Sequence, residues 1–172
     1  MILIAIGSNL PHPVYGTPLN VCEAAVMAIA DIECHVTAVS RWYRSAPVPR
    51  SDQPDFVNGV ISVKTEIPPA RLLQKLHDIE DEFGRVRGQP NAARTLDLDL
   101  LAYGEVLENG QKPPILPHPR LTERAFVLYP LQDVAPEWQH PVSRASVLAL
   151  IKNLPTGQKC TPIGPSKHGQ AV

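Results

Sequence analysis

The segment Arg94–Leu101, Arg-Thr-Leu-Asp-Leu-Asp-Leu-Leu, constrains the fold most, because apolar and acidic residues alternate along it. A period of two is typical of a β-strand, in which Asp97 and Asp99 would project from one face and the leucines from the other. The leucine face indicates a buried core. The two neighbouring carboxylates repel each other, so we expect a positive group between them, and a divalent cation bound through oxygen is the usual one.

Five arginines surround this acidic pair, namely Arg85, Arg87, Arg94, Arg120 and Arg124. Carboxylates that hold Mg²⁺, together with a set of guanidinium groups, are how proteins bind a polyphosphate and neutralise its charge during transfer. The alternative is an exposed strand whose acids pair with surface arginines, which is common and contributes little energy. Spacing alone leaves both interpretations open.

Composition narrows the class of protein. The 172 residues are 44% hydrophobic and 19% charged, as in ordinary globular chains, so we expect a single domain over 1–156 and a loose tail over 157–172. The net charge of −1 argues against a nucleic-acid binder and against a polybasic membrane surface.

No apolar run approaches the ~20 residues of a membrane span, and the short apolar start favours a strand over a signal peptide, so we expect a cytoplasmic protein. The three cysteines lack metal-ligand spacing and are expected to be reduced and inert.

Apolar periodicity predicts four strands and four helices. The predicted strands are 2–7, 34–43, 56–65 and 96–103, and the predicted helices are 19–32, 68–83, 123–131 and 143–153. The order β-α-β-β-α-β of the first six elements predicts an α+β fold, a ferredoxin-like split β-α-β sheet with helices packed on its faces and long functional loops. This architecture hosts many functions, so it says nothing about chemistry by itself.

Seven motifs occur in a fixed order over about residues 2–138. They are Ile4–Leu10, Tyr43–Ser45, Asp52–Asn58, Glu80 with Gly84–Arg87, Arg94–Leu101, Pro117–Arg120 and Arg124–Leu131. Together they resemble the 6-hydroxymethyl-7,8-dihydropterin pyrophosphokinase family of folate biosynthesis. The resemblance implies transfer of pyrophosphate from MgATP to the hydroxymethyl group of the pterin, with release of AMP. It also implies two Mg²⁺ ions, and we expect a monomer that takes only small-molecule substrates.

The resemblance further implies roles for individual residues. The catalytic set would be Arg85, Arg94, Asp97 and Asp99, with both aspartates holding the Mg²⁺ ions. ATP would be bound by Glu80, Arg87, Leu100, His118 and Arg124. The pterin would be bound by Ser45, Ala46, Val48, Phe56, Asn58, Asp97 and Phe126, with the two phenylalanine rings on either side of the flat heterocycle.

Several of these residues have simpler interpretations. Phe56 could be a core residue at the start of a strand, and Asn58 could cap a turn. His118 could be an ordinary loop histidine, and Glu80 lies in an acidic helical run that is typical of a solvated face.

The chain also departs from the family pattern in two loops. The family commonly has a basic residue and then a tryptophan before the signature arginine, where this chain has Pro90 and Asn91. The loop 88–93 therefore lacks an aromatic side chain, whereas the first loop, 11–18, is longer than usual.

Two alternative functions remain at this point. One is an ordinary Mg²⁺-dependent kinase acting on a different heterocycle, which would release ADP instead of AMP. The other is a non-catalytic ferredoxin-like binding or regulatory module, although such a module has no need for paired metal-binding carboxylates.

Overall fold

The computed structural model describes residues 1–85, 92–110 and 112–164. Its strands are β1 (Ile2–Ser8), β2 (His35–Val39), β3 (Tyr43–Ser45), β4 (Phe56–Lys64), β5 (Asp97–Tyr103) and β6 (Cys160–Pro162). Its helices are α1 (Pro18–Ala30), α2 (Pro69–Glu82), α3 (Ala125–Val134) and α4 (Val147–Lys152), with a 3-10 turn at Leu121–Glu123. Among these residues, no helix is both long and apolar enough to cross a membrane.

The strands form one antiparallel sheet with the order β5-β1-β4-β3-β6, and β2 pairs with the other end of β4. β1 therefore lies between β4 and β5, the strand that carries the acidic pair. This is the predicted α+β, ferredoxin-like arrangement, and its helices lie on both faces of the sheet.

The side chains of β1 alternate between two cores, one on each face of the sheet. Ile2, Ile4 and Ile6 belong to the core that contains residues of α1 and α2. Leu3 belongs to the core formed with α3 and α4, and Ala5 packs against that second core. Because the period of a strand is two, the second face also receives the even-numbered residues of β4 and, before the register shift in β5, the residues Asp97, Asp99 and Leu101. Both aspartates therefore point to the side of α3, which we call the α3 face.

The predicted strand 34–43 is two strands in the structure, because side chains interrupt the ladder. The Ser40 hydroxyl accepts a hydrogen bond from the backbone N–H of Val60 at 3.0 Å. The Trp42 ring covers Gly59 so closely that a Cβ there would lie 2.5 Å from it. The chain therefore leaves the ladder at Ser40 and rejoins it at Tyr43.

The predicted loose tail is wrong for the part that the structure describes. β6 pairs with β3, with Cys160 opposite Ser45, and the N–H of Ile163 donates to the Trp42 carbonyl at 2.7 Å. Apolar periodicity could not predict this strand, because three residues that extend a sheet edge carry no periodic signal. Residues 165–172 lie outside the described part of the chain.

Candidate active site

A row of small and polar residues crosses the α3 face at the start of β5. Gly7 of β1 is paired with Asn58 of β4 on one side and with Asp97 of β5 on the other. A Cβ at Gly7 would lie 3.1 Å from the Asn58 side-chain oxygen and 3.9 Å from the Cβ of Asp97. The missing side chain therefore leaves room between the amide and the carboxylate. The Asn58 amide also donates to the Ser45 hydroxyl at 2.9 Å, which fixes its orientation.

Asp97 is held by two arginines that come from different directions. Its Oδ1 lies 2.8 Å from Nη1 of Arg85, which follows α2, and 2.7 Å from Nη1 of Arg94, which precedes β5. Both arginine side chains are only 19% exposed, so these are not simple surface ion pairs. The structure thus brings Arg85, Arg94 and Asp97 together, and their catalytic roles stay a prediction.

Glu80 lies next to Arg85 and is buried, with only 1% of its side chain exposed. Its Oε1 accepts a hydrogen bond from the N–H of Leu98 at 2.7 Å and also contacts Nη1 of Arg85. The carboxylate thus links α2, β5 and Arg85. The alternative interpretation of Glu80 as part of a solvated acidic face is wrong, because Glu80 occupies the buried side of α2 with Leu76 and Ile79.

We expect Glu80→Gln to lower kcat about tenfold or more while the protein stays folded, because a buried charged hydrogen bond that orients Arg85 becomes neutral. Steady-state kinetics and thermal unfolding would measure both effects. Glu82→Gln, on the exposed side of the same helix, is the matched control and should change neither. Equal kinetics for the two variants would contradict the orienting role.

Asp99 faces a second pair of side chains. Its Oδ2 lies 3.3 Å from Nη1 of Arg124 and 3.9 Å from Nε2 of His118. The Nδ1 of His118 accepts the N–H of Arg120 at 3.2 Å, and burial together with the nearby arginines lowers the pKa of this histidine despite the aspartates. The neutral ring therefore carries its proton on Nε2, facing Asp99. Burial also lowers the pKa of Arg124, although Asp99 partly opposes this effect.

Six side chains therefore form what we call the charged cluster, and they are Glu80, Arg85, Arg94, Asp97, Asp99 and Arg124. Phe126 borders it from the first turn of α3, where the Cζ of Arg124 lies 5.4 Å from the centre of its ring. Phe56 begins β4 opposite Ser45, and its ring is half-buried, as is that of Phe126. Strand alternation places Phe56 on the α3 face with Asn58.

The other predicted site residues are less directly connected. The Leu100 side chain is 3% exposed and belongs to the core on the opposite face, so any nucleotide contact by this side chain would need a rearrangement. Ala46 and the 50%-exposed Val48 follow β3 in the loop towards β4. Arg87 lies outside the described residues.

Asn9 is a residue to which the sequence analysis gave no role. It is 1% exposed, and its side-chain oxygen accepts the N–H of Arg94 at 2.8 Å. Its side-chain nitrogen donates to Gln53 Oε1 at 3.2 Å and to the carbonyl of Pro54 at 3.1 Å. Asn9 therefore joins the two loops that lead into β4 and β5. The Gly7-Ser8-Asn9 motif was the available signal, but no local pattern specifies these long-range partners.

We expect Asn9→Ala to lower the free energy of unfolding by about 2 kcal/mol, because buried backbone and amide groups lose their partners. Urea unfolding would measure the loss. Asn9→Asp keeps the acceptor for Arg94 but not the donor for the other loop, and should therefore be intermediate or equally destabilised. A loss below ~0.5 kcal/mol, which is usual for surface substitutions, would show that the two loops do not depend on Asn9.

The donor set of the cluster fits Mg²⁺. Within the described ranges, no three His, Cys, Asp or Glu side chains are grouped so that they could hold a metal without other ligands. Mg²⁺ does not need such a cage, because it is usually bound by one or two carboxylates and completes its shell with water and phosphate oxygens. The three arginines of the charged cluster already face three carboxylates, so a bound polyphosphate would need further positive charge.

Paired carboxylates, half-buried arginines and an open polar row on one face of an α+β sheet define a site suited to the transfer of phosphate groups. The chain belongs to the 7,8-dihydro-6-hydroxymethylpterin-pyrophosphokinase (HPPK) family, whose model matches residues 3–136. The family expected from the seven motifs is therefore confirmed.

Three curated relatives that match this chain over most of their length support this assignment. The chain is 41% identical over 151 residues to the 2-amino-4-hydroxy-6-hydroxymethyldihydropteridine pyrophosphokinase of Haemophilus influenzae, covering 87% of this chain and 89% of the relative. It is 42% identical over 144 residues to the enzyme of the same name from Pseudomonas aeruginosa, covering 83% and 85%. The enzyme of that name from Synechocystis is 34% identical over 168 residues, covering 97% and 80%.

A solved structure shows the same fold. The Plasmodium falciparum HPPK-DHPS crystal structure matches 88% of this chain with a TM-score of 0.65 at 13% sequence identity. This chain spans only 43% of that longer protein.

Proposed function

We propose that this protein transfers pyrophosphate from ATP to the hydroxymethyl group of 6-hydroxymethyl-7,8-dihydropterin and releases AMP. The observation that carries the proposal is the charged cluster beside the Asn58–Gly7–Asp97 row. The cluster offers arginines and carboxylates for a metal-bound polyphosphate, and the row offers polar groups and space for a flat heterocycle. Family membership and the names of the curated relatives support the same reaction.

In this reaction the pterin hydroxyl oxygen forms a bond to the β-phosphorus of ATP. The bond from that phosphorus to the oxygen it shares with the α-phosphate breaks, AMP leaves, and the hydroxyl proton is lost. Little covalent chemistry falls to the protein, so its work is to position the two substrates and neutralise charge. Arg85 and Arg94 would donate to the phosphate oxygens of the transferred group, and Glu80 would orient Arg85 from behind.

Two Mg²⁺ ions held by Asp97 and Asp99 would supply charge neutralisation at the phosphates. Arg124 and His118, on the far side of Asp99, would contact ATP, together with Arg87. Phe56 and Phe126 would pack on the pterin ring, while Asn58 and the backbone from Ser45 through Val48 would bind its polar edge. We also propose that a single domain carries the activity and that the protein acts as a monomer in the cytoplasm.

The test is to incubate the purified protein with MgATP and 6-hydroxymethyl-7,8-dihydropterin and to identify the nucleotide product. AMP formed only in the presence of the pterin is the expected result. ADP would instead identify an ordinary kinase on this scaffold. The absence of any product, with ATP and the pterin still bound in separate titrations, would favour a binding module.

A further inference from the structure

The side-chain amide of Gln158 bridges the start of α3. Its oxygen accepts the N–H of Ala125 at 2.9 Å, and its nitrogen donates to the carbonyl of Glu123 at 2.7 Å. Gln158 lies more than thirty positions away in sequence, in the segment that was expected to be a loose tail. The side-chain amide of Gln158 thus provides hydrogen-bond partners for two backbone groups, the Ala125 N–H and the Glu123 carbonyl, which have no partner within α3 itself.

The residues on either side of this bridge border the charged cluster. Arg124 lies between the two bonded backbone groups, and Phe126 follows directly. Arg124 precedes α3 as its N-cap residue, with an extended backbone and no side-chain capping hydrogen bond. Gln158 therefore supplies the capping hydrogen bond from another part of the chain. The guanidinium of Arg124 is additionally held by Asp99 at 3.3 Å. Among the residues that the structure describes, the Phe126 ring is held by apolar packing and by its contact with Arg124.

The same C-terminal segment also holds the opposite side of the site. β6 pairs with β3, so Cys160 lies beside Ser45, whose hydroxyl orients Asn58. Residues 158–162 therefore contact both β3, whose Ser45 hydroxyl orients Asn58, and the chain around the start of α3, which carries Phe126. A shift of this segment would change the distance between the two.

We propose that Gln158 is a positioning residue for pterin binding, which it supports by fixing the start of α3 and hence the Phe126 ring. This inference rests on the proposed function, because the substrate it concerns is the pterin. The effect on ATP should be smaller, since Asp99 holds the Arg124 side chain independently of Gln158.

The decisive variant is Gln158→Met, which keeps the length of the side chain and removes both hydrogen bonds. We expect the KM for the pterin to rise about fivefold, as the loss of one or two neutral hydrogen bonds would produce, while the KM for ATP changes less than about twofold. Amide hydrogen exchange at Ala125 should accelerate, because its acceptor is lost. Gln158→Glu keeps an acceptor for Ala125 and should recover part of the pterin affinity. Lys159→Met, the exposed neighbour, is the control and should behave as the unmodified protein.

The outcomes separate this inference from the function on which it rests. If the unmodified protein forms no pterin-dependent AMP, the proposed function fails, and the inference fails with it. If the unmodified protein is active and Gln158→Met leaves the pterin KM unchanged, the inference alone is overturned. An equal rise in both KM values, or a lower melting temperature with unchanged KM values, would indicate a purely structural role and would also overturn it.

Discussion

Asp97→Ala is expected to abolish turnover, with a loss in kcat of about 10³-fold or more. Asp97 has three expected tasks at once: it would hold Mg²⁺, it belongs to the polar row proposed to bind the pterin, and it pairs with both Arg85 and Arg94. Removing its carboxylate leaves two guanidinium groups without this partner in a half-buried site. Initial rates of AMP formation at saturating substrates would measure the effect.

Two further variants serve as comparisons for Asp97→Ala. Asp97→Asn keeps the size of the side chain and removes the charge, so it should be nearly as inactive. Asp31→Ala, at the exposed end of α1, should retain full activity and shows that an aspartate can be lost without consequence. Near-normal activity of Asp97→Ala, with folding confirmed by circular dichroism, would contradict the metal site.

Phe126→Ala is expected to weaken pterin binding about tenfold or more, because an aromatic ring offers a large apolar face on which a flat heterocycle can stack. ATP binding should weaken much less, although Arg124 loses the ring over which it lies at 5.4 Å. Calorimetric titration of each ligand separately would give the two affinities.

Phe126→Tyr, which keeps the aromatic face, is the matched control and should bind the pterin close to normally. If Phe126→Ala weakened the two ligands equally, the ring would be supporting Arg124 and not the pterin. Unchanged pterin affinity would contradict the assignment altogether.

The sequence by itself determined the elements whose signal is local. The alternation in Arg94–Leu101 specifies a strand with an acidic face, because strand geometry converts a period of two directly into two faces. The apolar periodicity of α2 specifies a helix for the same kind of reason. The ordered motifs added the family, which the match over residues 3–136 confirms.

Only the tertiary structure decided which distant groups meet. Glu80 belongs to an acidic run in the sequence, yet it is buried against Arg85 and Leu98 because it lies on the core side of α2. Leu100 is adjacent to Asp99 in sequence but faces the other core, because successive side chains of a strand diverge. Asn9 and Gln158 each make hydrogen bonds to backbone groups more than thirty positions away in the chain. Such contacts have no periodicity and no fixed spacing, so the fold alone specifies them.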